Sequence, residues 1–214
     1  MIKILNFGSG TVSALGNSLH SLGVSFGIAS TPDDLSFCSG LILPGVGSFD
    51  SAMTRFNGSG LREAVSDLVH MKGVPLLGIC VGMQMLFSRS EEGVQSGLGW
   101  IEGSVFRLNH SHECLRIPHM GWNDVRSLRY SPLLEGIDDP SFYFLHSYYC
   151  HVADPGKVVG VTDYGAEIPS LVSAGNIMGV QFHPEKSHKS GKRLILNFVN
   201  ECNSCFDREL SLSS

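Results

Sequence analysis

The sequence predicts an α/β fold: an open, mostly parallel twisted sheet flanked by helices, with additional antiparallel strands in the second half. The first half alternates short apolar runs with helical patterns, and strands separated by helices of this length form parallel sheets covered on both faces. The second half instead holds close-set strand candidates separated by turns such as Asp154-Pro155-Gly156. That spacing favours antiparallel or mixed strands attached to the parallel core.

The elements of the first half follow from the spacing of its apolar residues. The predicted strands are Lys3–Phe7, Val24–Ala29, Gly40–Leu43 and Pro75–Ile79. Helical spacing recurs between them, in Val12, Leu15, Leu19 and Leu22, and again in Leu61, Ala64, Val65, Leu68 and Val69. Gly23 ends the first of these helices, and a further helical stretch, Val81–Phe87, follows the fourth strand at once.

The second half adds further strands and a final helix. The predicted strands are Phe142–Leu145, Tyr148–Val152, Val158–Asp163, Ile168–Val172 and Ile177–Gln181. The helix is indicated by the spacing of Leu194, Ile195, Phe198, Val199 and Cys202. We therefore predict a single domain over residues 1–207, followed by a flexible tail over residues 208–214.

The composition argues against several functional classes. The 214 residues are 43% hydrophobic and 16% charged, which suits one domain with a sizeable core and is too apolar for disorder. A formal net charge of −5 argues against binding nucleic acid through bulk charge. The chain has no apolar run long enough for a spanning helix or a signal peptide, and its six scattered cysteines form no disulfide framework. These observations predict a cytoplasmic protein with reduced thiols and without a nucleic-acid or membrane partner.

The sharpest local motif is Gly78-Ile79-Cys80-Val81-Gly82, which lies between a buried strand and a helix. This is the sequence context of a nucleophile elbow, with cysteine as the nucleophile. Glycine is needed on both sides because the backbone at such a turn is crowded, and a helix N-terminus favours the thiolate. A buried structural cysteine beside a glycine-rich turn would also give this pattern.

A thiolate also needs a proton-accepting partner, and His183 in Gln181-Phe182-His183-Pro184-Glu185 is the strongest candidate. It directly follows a predicted strand, and sites in open α/β sheets gather at the carboxyl ends of strands. Glu185 lies two residues further on, where its carboxylate can reach back to the imidazole, hold one tautomer and stabilise the imidazolium.

Acyl chemistry further needs hydrogen-bond donors for an oxyanion. The loop Leu43-Pro44-Gly45-Val46-Gly47-Ser48 follows the third strand, and its glycines allow backbone N–H groups of Val46 and Gly47 to turn toward a ligand. The N–H of Val81, directly after the nucleophile, is the second predicted donor. An ordinary loop would have the same composition.

No metal or cofactor is expected. Cys202 and Cys205 have Cys-x-x-Cys spacing but lack a second pair. The stretch from residue 110 to residue 114 is interpreted as a solvated loop, and Glu91-Glu92 as a surface charge pair.

Two longer segments carry a resemblance to a known family. Residues 78–84 (GICVGMQ) and 180–187 (VQFHPEKS) resemble class I, triad-type glutamine amidotransferases, with the order Cys, then His-x-Glu. Residues 43–47 (LPGVG), 118–123 (PHMGWN) and 144–149 (FLHSYY) are similar, more narrowly, to glutaminase subunits of imidazole glycerol phosphate synthase. The resemblance runs from residue 2 to about residue 200.

The resemblance implies an activity and a set of roles. Cys80 would attack the side-chain amide of glutamine, His183 would transfer the proton and Glu185 would orient it, so that ammonia leaves before water releases glutamate. The implied substrate-binding residues are Gly45, Gly47, Gln84, His146, Ser147 and Tyr148. The implied partner is a cyclase subunit, a (βα)₈ barrel that forms a heterodimer with this chain, receives the ammonia and serves histidine biosynthesis. The implied interface residues are Thr11, Met120, Trp122, Asn123 and Lys186.

One segment departs from the family pattern. The family usually has Asp-Tyr-Gly followed by Gly-x-Gly-Asn, whereas residues 6–11 here read Asn-Phe-Gly-Ser-Gly-Thr. The departure lies on the partner-facing side, which leaves open a paralogous subunit that supplies ammonia to a surface-sugar amidinating enzyme. A stand-alone cysteine hydrolase and a non-catalytic scaffold of the same fold also stay open as hypotheses.

Overall fold

The computed structural model describes the backbone of residues 1–8, 10–109 and 116–212, with side chains up to residue 205. Ser9 of the departing segment and the predicted loop at 110–114 therefore lie outside the described residues. Within the described part of the chain, no helix combines the length and the apolar character needed to cross a membrane.

A central eight-stranded sheet organises the molecule. From one edge to the other its strands are β2 (Phe26–Ala29), β1 (Ile2–Leu5), β3 (Gly40–Gly45), β4 (Leu76–Cys80), β12 (Ile177–Val180), β11 (Glu167–Ala174), β10 (Val158–Asp163) and β7 (Arg126–Ser127). The first five strands are parallel to one another, and the last three continue the sheet in antiparallel pairs. The predicted fold class is confirmed, with the antiparallel strands in the second half as expected.

Two small antiparallel sheets stand beside the central one. β5 (Gly103–Arg107) pairs with β9 (Tyr148–Val152), and β6 (His119–Asp124) pairs with β8 (Ser141–His146). Neither β5 nor β6 is predicted from the sequence. In β6 the inward positions are taken by His119, Gly121 and Asn123, so the strand lacks the apolar alternation by which strands are usually found.

Five α-helices are present among the described residues: α1 (Val12–Ser21), α2 (Phe49–Gly58), α3 (Leu61–His70), α4 (Val81–Met85) and α5 (His188–Leu212). The sequence prediction lacks α2, whose Phe49, Met53 and Phe56 are fully buried and whose N-terminus is capped by Ser48. α4 ends at Met85 and is two residues shorter than predicted. The backbone of residues 208–212 continues α5 where a flexible tail is predicted, and residues 213–214 lie outside the described chain, so the boundary at residue 207 stays a prediction.

The turn from β4 into α4 depends on three glycines, which allow close approach between the backbones of β3, β4 and the start of α4. A Cβ atom on Gly82 would lie 2.0 Å from the carbonyl oxygen of Leu43 in β3, and one on Gly78 would lie 2.7 Å from the carbonyl oxygen of Gly82. A Cβ atom on Gly45 would lie 2.3 Å from the nitrogen of Gly82. Between Gly78 and Gly82, Cys80 has φ +55° and ψ −113°, a conformation that non-glycine residues rarely adopt. The predicted need for glycine on both sides of Cys80 thus has a direct steric cause.

We expect Gly82→Ala to destabilise the fold by about 3 kcal/mol or more, because the new methyl group meets a strand carbonyl that cannot move aside. Gly58→Ala is the matched control, since a Cβ atom there has no neighbour within 4 Å and alanine favours the helix that it ends. Urea unfolding followed by circular dichroism measures both free energies. Equal stability of the two variants would contradict the close packing of α4 against β3.

Candidate active site

A pocket of about 300 Å³ opens at the carboxyl ends of β3, β4 and β12. Its walls include most of the candidate residues predicted from the sequence, namely Val46, Gly47, Cys80, Val81, Gln84, His146, Ser147, Tyr148 and His183. They come from both halves of the chain because parallel strands end at one edge of the sheet. The topology therefore brings the candidate nucleophile, base, oxyanion donors and substrate contacts to one place.

Gly45, Thr11 and Asn123 are among the predicted residues that do not line the pocket. Gly45 lies within β3, packed closely against Val81 and Gly82, and is not among the residues that line the pocket, so its substrate contact stays a prediction. Thr11 precedes α1, and its hydroxyl oxygen is buried without a hydrogen-bond partner among the described residues. Asn123 is half-buried and donates through Nδ2 to the carbonyl oxygen of Asp163.

The sulfur of Cys80 is almost completely enclosed, with 3% of the residue exposed. Its thiol donates to the carbonyl oxygen of Leu145 at 3.8 Å, and Nε2 of Gln181 donates to the sulfur at 3.8 Å. The third neighbour is His183, whose ring lines the same pocket and interacts electrostatically with Cys80. The nucleophile candidate thus has one acceptor, one neutral donor and one titratable ring around it.

His183 and Glu185 form a buried pair. Nδ1 of His183 lies 2.9 Å from Oε1 of Glu185, and the two side chains are 3% and 0% exposed. Since Nδ1 is bonded to Glu185, Nε2 is the ring nitrogen available to Cys80. Burial by itself lowers the pKa of His183, but the hydrogen bonds and charges of Cys80 and Glu185 raise it to about 10. The ring is therefore held as an imidazolium at neutral pH.

A second pair of histidines beside the pocket stays neutral. His146 lies between the carbonyl oxygen of Tyr148, 2.9 Å from Nδ1, and Nδ1 of His119, 2.9 Å from Nε2. Burial lowers the pKa of His146 to about 3 and that of His119 to about 4. A carbonyl oxygen can only accept, so His146 donates from Nδ1 and accepts from His119. His119 in turn has Nε2 3.3 Å from Nδ2 of Asn123, which donates to it. This fixed order of donors holds residues 146–148 in place along the pocket wall.

Two functional candidates in the pocket region are not found from the sequence. Glu92 is half-buried, in contrast to the predicted surface position: it lines the pocket, and its Oε2 accepts from the backbone N–H of Phe49 at 2.7 Å. Its neighbour Glu91 is exposed, as predicted, and accepts from the N–H of Arg107. Gln181 is fully buried and reaches Cys80, although in the sequence it is only the last residue of a strand. No local pattern distinguishes the inward from the outward member of two adjacent glutamates.

An exposed aromatic face adjoins the mouth of the pocket. Met120 and Trp122 of β6 are 66% and 49% exposed, and they pair in register with Leu145 and Tyr143 of β8. Nζ of Lys186 lies 5.7 Å from the centre of the Tyr143 ring. Leu145 and Lys186 also line the pocket, so this aromatic face and the pocket are continuous.

Comparison with known proteins gives consistent results. The chain matches the family model described as glutamine amidotransferase class-I over residues 3–202. Proteins named imidazole glycerol phosphate synthase subunit HisH from Leptospira interrogans and Bdellovibrio bacteriovorus are each 47% identical to it. The matches cover 94% and 92% of this chain and 100% and 98% of those relatives.

Two solved structures share the fold. A glutamine amidotransferase crystal structure has a TM-score of 0.75 and 22% identity, and covers 94% of this chain and 98% of its own. The structure of PurLQS from Thermotoga maritima has a TM-score of 0.72 and 17% identity, and covers 94% of this chain and 97% of its own.

We expect Glu185→Gln to lower the pKa of His183 from its value of about 10, because the imidazolium loses its buried counter-charge. An NMR titration of the His183 ring protons measures the change, with the exposed Glu167→Gln as a control that leaves the titration unaltered. Because the native pKa lies above the ordinary 6.5, the stability contributed by the pair is complete below pH 6.5 and is lost as the pH rises through 10. A titration of His183 that is the same with and without the carboxylate would contradict the pairing.

Proposed function

The chain belongs to the class-I glutamine amidotransferase family, and from that premise we propose that it is the glutaminase subunit of imidazole glycerol phosphate synthase. In this proposal it hydrolyses glutamine to glutamate and ammonia in the cytoplasm, without a metal or cofactor, as part of histidine biosynthesis. The observation that carries the proposal is that Cys80 and His183 line one pocket at the strand ends, with the His183 ring hydrogen-bonded to the buried Glu185.

In the first half of the proposed reaction, the Cys80 thiolate and the protonated His183 ring act as an ion pair. The Cys80 thiolate attacks the side-chain carbonyl carbon of glutamine, a C–S bond forms, and the oxygen becomes an oxyanion. His183 then donates its Nε2 proton to the amide nitrogen, the C–N bond breaks and ammonia leaves. A thioester on Cys80 and a neutral His183 remain, with Glu185 still accepting from Nδ1.

The second half restores the ion pair. Neutral His183 takes a proton from water as the oxygen attacks the thioester carbon, and the C–S bond breaks with the electron pair returning to sulfur. The product carboxylic acid loses its proton to solvent as glutamate leaves. The proposed oxyanion donors in both halves are the N–H groups of Val81 and of Val46 or Gly47, all of which line the pocket. The φ of +86° at Gly47 is one that glycine adopts freely.

The charges in the pocket wall fit a free amino acid as substrate. Glu92 is the one carboxylate that lines the described pocket, and it suits the α-ammonium group of glutamine. The Nε2 group of Gln84 donates hydrogen bonds to the carbonyl oxygen of Tyr148 at 3.0 Å and to Oε1 of Gln181 at 3.2 Å. Its own Oε1 is therefore the atom left to accept from the substrate.

The aromatic face is the proposed docking surface for the cyclase barrel. Large, exposed side chains of tryptophan and methionine, such as Trp122 and Met120, are typical of interfaces. The face meets the pocket at Leu145 and Lys186, so a partner seated there covers the pocket mouth and can receive ammonia before solvent protonates it. Thr11 and Asn123 stay predicted interface residues.

We expect Cys80→Ala to abolish glutamine-dependent synthesis by the complex with a cyclase partner while sparing synthesis driven by added ammonium, because only the glutaminase step needs the sulfur. Product formation from each nitrogen source is the measurement, with wild-type complex as the reference. Loss of both activities would contradict the assignment. Full glutaminase activity without any partner would favour a stand-alone hydrolase, and stimulation by a sugar-amidinating enzyme alone would favour the paralogous subunit.

We expect Glu92→Gln to raise KM for glutamine about 10-fold to 100-fold with little change in kcat, because a hydrogen bond between charged groups contributes about 1.5–3 kcal/mol. Glutamine at this position keeps an oxygen for the N–H of Phe49, so the fold is retained. Glu91→Gln is the matched control and leaves KM unchanged. Equal KM values for the two variants would exclude Glu92 from substrate recognition.

A further inference from the structure

We propose that Gln181 is a catalytic residue of this site: its side-chain N–H donates to the Cys80 sulfur and stabilises the thiolate. The inference rests on the proposed function, which makes that sulfur the nucleophile. It adds a neutral, non-titrating donor to the cysteine, histidine and glutamate already considered.

The orientation of the Gln181 amide follows from its neighbours. The carbonyl oxygen of Tyr148 can only accept, so the atom of Gln84 that lies 3.0 Å from it must be the amide nitrogen. The same nitrogen lies 3.2 Å from the Gln181 side chain, which must therefore present its oxygen to Gln84. The remaining end of the Gln181 amide, the NH₂ group, faces the sulfur at 3.8 Å. Each step excludes the flipped amide, so the donor toward sulfur is determined by the network.

The Gln181 side chain is also held rigidly. The residue follows β12 directly, its backbone N–H donates to the carbonyl oxygen of Ser170 in β11 at 2.9 Å, and none of its surface is exposed. A donor fixed in this way needs no reorganisation when charge develops on its acceptor, which is the general requirement for electrostatic stabilisation in an active site.

The sulfur has two hydrogen-bonding neighbours with opposite preferences. The carbonyl oxygen of Leu145 accepts from the thiol and so favours the protonated form, whereas Gln181 donates and so favours the thiolate. In the thiolate form of Cys80 the contact with Leu145 has lost its hydrogen, and the bond from Gln181 is charge-assisted and stronger. The same bond lowers the barrier for thiolate departure when water opens the thioester.

The test compares Gln181→Met with wild type. Methionine keeps the length and approximate volume of the side chain but has no N–H donor. Ser170→Ala is the matched control: it removes a fully buried hydroxyl that donates to Thr162 on the neighbouring strand, while keeping the carbonyl that accepts from Gln181. Gln181→Asn, which keeps an amide but withdraws it by one methylene, is used if the methionine variant does not unfold cooperatively.

The measurement is the rate of Cys80 alkylation by iodoacetamide as a function of pH, read from the mass of the peptide that contains Cys80. We expect the midpoint of the profile in Gln181→Met to move up by about one pH unit, with the rate below the wild-type midpoint falling about 10-fold. Ser170→Ala should follow wild type. Superimposable profiles for Gln181→Met and wild type, or an equal shift in Ser170→Ala, would overturn the inference.

Alkylation needs neither glutamine nor a partner, so it separates this inference from the proposed function. A shifted profile together with Cys80-independent glutamine hydrolysis would overturn the function and leave the Gln181 bond standing. In the active complex, Gln181→Met is further expected to lower kcat about 10-fold with KM for glutamine unchanged, because the lost donor acts on the sulfur while Gln84 keeps its bond to the carbonyl oxygen of Tyr148. A change confined to KM would overturn the catalytic role.

Discussion

The contact between the start of α4 and strand β3 is the constraint on which the rest of the site depends. Gly82 and Gly45 let the two backbones approach to a distance that no side chain permits, and this approach places Cys80 in a conformation with φ +55°. Such a conformation costs on the order of 1–3 kcal/mol and persists only where the surroundings enforce it. The fully buried strand β4 and its neighbours β3 and β12 supply that enforcement. As a result the Cys80 sulfur lies at the carboxyl ends of the central strands, in the same pocket as His183.

Three buried histidines lie in the pocket region, and of these only His183 has a raised pKa. His183 has Glu185 on one side and the sulfur on the other, and both raise its pKa. His146 and His119, although close by, are kept neutral by burial, and the proximity of His183 lowers the pKa of His146 further. A second imidazolium would compete with His183 for the negative charge of the sulfur. The histidine pair instead acts through its fixed hydrogen-bond order, which positions the wall that faces the substrate.

Much of this arrangement follows from the sequence, and what does not has identifiable causes. The glycines around Cys80 and the position of His183 after a strand are local signals with a direct steric or topological meaning. Strands β5 and β6 escaped prediction because their inward positions carry few apolar side chains. Glu92 and Gln181 were not predicted for a different reason. Glu92 contacts Phe49, 43 residues away in the sequence, and Gln181 contacts Cys80, 101 residues away. Only the folded sheet reveals such long-range polar contacts.

The most direct test of the proposed chemistry is the state of Cys80 during turnover. The complex with a cyclase partner is mixed with glutamine, quenched in acid within the first turnover and digested. The masses of the peptides are then measured by mass spectrometry. We expect a glutamyl thioester on the Cys80 peptide that forms and decays at rates consistent with glutamate release. Steady release of glutamate with Cys80 unmodified at every time point, or with the adduct on another cysteine, would contradict it.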